Sequence, residues 1–143
     1  MKSNSAIGFA LMVVLSTVPG IILGTENVLS SVEDEGLVSH DPILIVGDVD
    51  FTQENGVTSG SGTESNPYII ENYRIESDGY GISLTDTSAI FIIRGCKIEN
   101  GSSGIELQRV KNGIIENNII NNNKEFDINI YYSKSWLRIC IAL

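Results

Sequence analysis

Residues 91–107 read FIIRGCKIENGSSGIEL, and the fold turns on how that stretch repeats. A close version stands before it at residues 68–84 (YIIENYRIESDGYGISL), and a third follows at residues 113–130 (GIIENNIINNNKEFDINI). Superimposed, their apolar positions form columns: Ile70, Ile93, Ile115; Ile75, Ile98, Ile120; Ile82, Ile105, Ile128; and Leu84, Leu107, Ile130. Each column advances by 22 or 23 residues. That period, built from short Ile-rich segments, fits a coil of three strands and three bends stacked on its own copies. Each strand would pair with its equivalent one coil away, at about 4.8 Å. Ile93, Cys96, Ile98, Ile105 and Leu107 are expected to point inward, since they alternate with polar neighbours within the strands. No 3.6-residue periodicity follows residue 24, so helices should be few.

Two other folds share parts of this pattern. Leucine-rich repeats have the period, but they need Leu at several fixed points and an Asn where this chain holds Thr87, Val110 and Ser133. An antiparallel meander would use Asn55-Gly56, Asn100-Gly101 and Asn112-Gly113 as hairpin turns. Those pairs fall out of register with the repeat, whereas the Ile columns keep it. The expectation is therefore an all-β, short parallel β-helix of about three coils.

Outside the repeats the chain divides by composition. Residues 1–24 have Lys2 followed by the uncharged run of residues 6–18 and a break at Pro19-Gly20, which reads as a leader helix serving as signal peptide. The apolar stretch of residues 6–24 is also long enough to be retained as an N-terminal membrane anchor, the competing reading. Both place the chain outside the cytoplasm: extracellular, at the cell surface or in the periplasm. Residues 25–40 are acidic and aperiodic and read as a linker. Residues 41–67 hold an apolar run (PILIV, 42–46), Phe51 as its companion, and a Gly/Ser/Thr-rich loop, together an N-terminal β cap over the repeats of residues 68–143.

Charge narrows the partners. The chain of 143 residues has a net charge of −9, and no Lys or Arg lies between Lys2 and Arg74. Phosphate binding wants clustered cations, so no nucleic-acid partner is expected. Asp48, Asp50 and Glu54 have the alternation of a calcium loop without its glycine turn or closing acid, and are weak metal candidates. The column Glu71, Arg94, Glu116, Arg138 alternates in sign and is expected to be an external charge ladder. The column Tyr73, Cys96, Asn118, Cys140 should lie inside or at a bend. Its two cysteines would then stand two coils apart, roughly 9–10 Å, and could not form a disulfide. Glu76 and Glu99 should stack, a spacing compatible with paired carboxylates. The single histidine, His40, falls in the linker, so no nucleophile–histidine pair is evident. Asn100-Gly101-Ser102 is a glycosylation sequon on an expected bend.

Residues 60–71 (GSGTESNPYIIE), followed by Asn/Ile-rich coils with Gly-Ile-x-Leu, resemble exported right-handed parallel β-helix proteins of the pectin-lyase-like superfamily. The closest resemblance is to the NosD-type repeats of archaeal and some bacterial surface proteins. It covers about residues 41–135 and implies a right-handed coil and a polysaccharide- or cell-envelope-associated role. For the sugar-cleaving members it implies groove carboxylates, with calcium or basic partners. For NosD it implies assistance to a periplasmic copper enzyme, with Cys, His or Met ligands. After the leader this chain offers only His40, Cys96 and Cys140 for copper, because Met1 and Met12 both lie in residues 1–24. The function expected first is an exported, non-catalytic structural or binding module with no cofactor. The alternatives are a fragment of a polysaccharide lyase or hydrolase, and a NosD-like accessory. Residues 136–143 (WLRICIAL) begin a fourth coil, so further coils or a covering partner are expected beyond Leu143.

Overall fold

In the computed structural model, residues 36–133 and 136–140 are described. Strands β3 (Tyr68–Glu71), β4 (Tyr73–Glu76) and β5 (Tyr80–Thr85) form the first full coil. Strands β6 (Ile90–Arg94), β7 (Lys97–Glu99) and β8 (Ser103–Gln108) form the second, and β9 (Asn112–Glu116), β10 (Ile119–Asn121) and β11 (Phe126–Tyr131) the third. Strands β1 (Val38–Ser39) and β2 (Ile43–Val46) come before them and β12 (Trp136–Cys140) after. Equivalent strands pair in parallel into three sheets: A, ordered β1-β4-β7-β10; B, ordered β2-β5-β8-β11; and C, ordered β3-β6-β9-β12. This is a right-handed parallel β-helix of about three coils. Its one helical element among the described residues is a 3-10 turn at Asp48–Asp50.

The Ile columns are its core. Ile70 pairs with Ile93 and Ile93 with Ile115 in sheet C, Ile75 with Ile98 in sheet A, and Ile82 with Ile105 and Leu84 with Leu107 in sheet B. All nine side chains are buried. Burying one such side chain contributes about 1.5–3 kcal/mol, and the inward position recurs once per coil, so the hydrophobic term fixes the period. Cys96 is also buried, as expected. In sheet C the Phe91 ring needs room, and its register neighbour Gly113 supplies it: a Cβ there would lie 2.3 Å from the ring. Asn112-Gly113 is thus strand rather than hairpin turn.

The corners explain the asparagines. Positive φ recurs at Asn72, Gly95 and Asn117 between sheets C and A, at Asn100 and Asn122 between A and B, and at Asp86, Arg109 and Tyr132 between B and C. The left-handed region is cheapest for Gly, then Asn and Asp, so these residues mark the corners. Asn118 lies buried just past one of them. Its amide accepts from the Cys96 N–H at 2.9 Å and donates to the Ile93 carbonyl at 2.9 Å, satisfying two backbone groups of the preceding coil.

Two expectations need correction and one gains detail. First, part of the stretch read as linker is strand: Val38 and Ser39 pair with Tyr73 and Arg74 of β4. Second, the expected N-terminal cap strand is present as β2 and belongs to sheet B, since Ile43 and Ile45 pair with Ile82 and Leu84. The third side of this partial coil is closed by loop residues. Thr58 donates its N–H to the Ile69 carbonyl, Val57 is buried, and Phe51 stacks on Tyr68 at 4.5 Å. Third, β12 pairs with β9 at an offset of 24, so Cys140, not Arg138, sits beside Glu116, while Arg138 faces Ile114. The charge ladder ends at Glu116, and Cys140 leaves the interior column for an exposed position. Both cysteines are free thiols. The leader helix of residues 1–24 lies outside the described residues, and no helix among the described residues is long and apolar enough to cross a membrane.

Candidate functional site

On a coil with its alternate residues inward, the remaining ones form three outer faces. Sheet B offers the most extended polar face. Between its buried columns run two outward columns: Leu44, Ser83, Glu106, Asn129, and Val46, Thr85, Gln108, Tyr131. Neighbours in a column are about 4.8 Å apart, and the two columns about 6.6 Å. At the strand starts Tyr80 and Phe126 are exposed on either side of Ser103, their register neighbour, which is buried. Tyr80, Phe126 and Tyr131 are each more than 40% exposed, which is far from a core aromatic. The Glu106 carboxylate accepts from Ser83 Oγ at 3.2 Å. Its charge, followed by partial burial and a hydrogen bond to the same carboxylate, pushes the Tyr80 phenol above its ordinary range. Asn129 Nδ2 donates to the Tyr131 hydroxyl at 2.8 Å. The result is a grid of amides, hydroxyls and one carboxylate on β5, β8 and β11, with the exposed Leu44 and Val46 of β2 at one end and tyrosines at its margins. None of these positions stood out in the sequence, although Ser83, Thr85, Glu106, Gln108, Asn129 and Tyr131 are the period-2 complements of the Ile columns, whereas Tyr80 and Phe126 share the parity of Ile82 and Ile128.

Sheet A carries charge instead. Glu76 and Glu99 are register neighbours, as expected, and so are Arg74 and Lys97. Arg74 reaches Glu76 at 2.7 Å and Glu99 at 3.5 Å, while Lys97 lies 3.6 Å from Glu99. Each like-charge pair is thus separated by diagonal counterions. Glu99 is only 9% exposed, which leaves little of it for a substrate to touch. Beside this mesh is a shallow hollow of about 310 Å³ lined by Ser39, His40, Asp41, Arg74 and Glu76. His40 is held there, with Nδ1 at 2.6 Å from the Asp41 carbonyl and its ring 4.5 Å from that of Tyr73.

The remaining sequence candidates fall elsewhere. On sheet C, Arg94 Nε donates to Glu71 Oε2 at 2.8 Å, the first rung of the ladder, and Glu116 follows Arg94 in register. Asp48 is a clamp: its carboxylate accepts from Thr87 Oγ1 at 2.5 Å, from the Ser88 N–H and Oγ at 2.9 Å each, and from the Ala89 N–H at 3.1 Å. These bonds outweigh partial burial and hold its carboxyl down at about 2. Asp50 accepts from the Val46 N–H at 3.1 Å, and Glu54 is exposed. The acids of the supposed calcium loop therefore bond to the protein itself or face solvent. No group of three or more His, Cys, Asp or Glu side chains among the described residues could hold a metal ion. Cys96 is buried, and burial pushes its thiol up to about 11, which keeps it protonated and unreactive. Asn100 sits exposed on a bend with φ 68°.

Comparison with known families agrees with this architecture: the model of the right-handed β-helix region matches residues 26–139. The chain belongs to the right-handed β-helix family. No curated protein and no solved structure matched its sequence. For a β-helix the fold leaves activity open, so function has to be argued from the outer faces.

Proposed function

We propose that this β-helix is an exported, non-catalytic binding module that contacts polysaccharide or cell-envelope glycan through the outer face of sheet B. The grid formed by Thr85, Glu106, Gln108 and Asn129, with the buried Ser83 holding the Glu106 carboxylate and with Tyr80 and Tyr131 at its margins, carries this reading. Sugars present hydroxyls that need closely spaced donors and acceptors, and apolar ring faces that stack on aromatic side chains. Export rests on residues 1–24, and membrane attachment would come through residues 6–24 if they are retained. The test is retardation of the full-length chain in gels containing soluble polysaccharides. Wild type should be retarded by at least one, and Tyr131→Ala together with Gln108→Ala should abolish it. Free migration through every polysaccharide would sink the proposal.

A second reading, a β-helix lyase or hydrolase or a piece of one, draws on Glu76 and Glu99 with their basic partners Arg74 and Lys97. General acid–base work needs one carboxyl free to meet the substrate, and the ion-pair mesh with the burial of Glu99 opposes that. Release of reducing or unsaturated ends by wild type, lost in Glu76→Gln, would favour this reading instead. The NosD-like role in copper-enzyme maturation draws only on the repeat resemblance. Stoichiometric Cu(I) binding, lost on changing His40 or Cys140, would be needed to revive it.

A further inference from the structure

We propose that the glycan taken by the sheet B face is uncharged, so that polyuronates and other anionic polysaccharides are excluded. This inference rests on the glycan-binding reading above and adds the ligand class. The outward positions of β2, β5, β8 and β11 hold Leu44, Val46, Ser83, Thr85, Glu106, Gln108, Asn129 and Tyr131, with no Lys or Arg among them. The one full charge in the grid is the Glu106 carboxylate, and at its edge Glu125 and Asp127 outnumber Lys124. Four cations of the coils are paired on other faces, while Lys111 and Lys124 lie in connections between strands rather than on the sheet B strands. Arg74 and Lys97 lie with Glu76 and Glu99 on sheet A, Arg94 with Glu71 on sheet C, and Arg109 with Asp86 at a corner.

An anionic sugar laid on the grid would set its carboxylate beside Glu106 with no Lys or Arg of the sheet B strands to neutralise either. At about 4–5 Å in water-exposed surroundings, each such approach weakens binding by about fivefold or more. A neutral sugar meets the opposite situation. The Glu106 carboxylate accepts from Ser83 and keeps lone pairs for ring hydroxyls. Gln108, Asn129 and Thr85 offer further partners at strand spacing, and Tyr80 and Tyr131 expose ring surface for stacking. Such contacts involve no ion pairing, so affinity should hardly depend on salt.

The experiment titrates the full-length chain with a neutral glucan, a neutral mannan, polygalacturonate and chitosan, each at 20 and 300 mM NaCl. Binding to a neutral polymer, changed less than about twofold by salt, with polygalacturonate at least tenfold weaker, supports the proposal. Glu106→Lys, checked by circular dichroism for its β signature, should gain polygalacturonate binding at 20 mM and lose it at 300 mM. Glu106→Gln, the milder variant, should narrow the gap between neutral and anionic polymers severalfold. Tighter binding of polygalacturonate or of chitosan than of the neutral polymers, abolished by Tyr131→Ala, overturns the proposal while leaving glycan binding intact. Silence toward all four polymers overturns both.

Discussion

Asp48 sits on a short turn ahead of the first full coil, yet its carboxylate closes the bend at Thr87, Ser88 and Ala89 about forty residues away. Asp48→Asn should lower stability by about 1 kcal/mol, after allowance for solvent screening at an exposed site. The pH dependence has a definite sign. The folded carboxyl is held at about 2, below its ordinary 3.8. Its contribution is therefore complete above about pH 4, shrinks as pH falls, and is lost on passing through pH 2. Urea unfolding of wild type and Asp48→Asn at pH 7, 4 and 2.5 should show their difference closing at the acid end. A constant difference would refute the clamp. Tyr132 poses the reverse case: an 83% exposed side chain on a left-handed backbone, φ 49°. Tyr132→Asn should stabilise by about 0.5–1 kcal/mol, because asparagine tolerates that region better. An unchanged or lower urea midpoint would count against a strained corner.

Between coils, two kinds of contact repeat with very different weight. Asn118 serves two buried backbone groups, so Asn118→Leu should cost about 2–4 kcal/mol despite adding apolar volume. Arg94→Ala breaks a surface ion pair with Glu71 and should cost less than about 1 kcal/mol. The ratio of the two midpoint shifts in urea checks both expectations. The Glu71–Arg94 pairing was legible in the sequence because spacing alone predicts adjacent strands. The position of Arg138 differs because the last coil takes 24 residues where the ladder assumed 22, and this even slip keeps Arg138 on the outer face while changing its neighbour. The role of Asn118 could be foreseen only as a column; its partners follow from the corner geometry at Asn117.

For the whole coil, stability is close to a sum of identical layers. Ile98 has Ile75 on one side and Ile120 on the other, and it is 1% exposed. Ile98→Ala should cost about 2–5 kcal/mol, since a cavity at mid-stack cannot be filled by collapse from either end. Amide hydrogen exchange should then be faster in the strands of all three full coils. Acceleration confined to β7 would contradict cooperative stacking.

Fold class, coil period, inward residues and the loss of cationic partners before Arg74 were determined by the sequence itself. Each is written once per coil as a requirement to bury an isoleucine or to turn a corner, and such local requirements survive without coordinates. The sheet B face, the Arg74–Glu76–Lys97–Glu99 mesh and the Asp48 clamp were decided by tertiary structure. Their members lie on different coils or, for Asp48, beyond any repeat, so only the register of parallel strands brings them together. Burial selects the side of the strand on which a residue lies. The register and the corners choose its neighbours, and the chemistry of the outer faces depends on those neighbours.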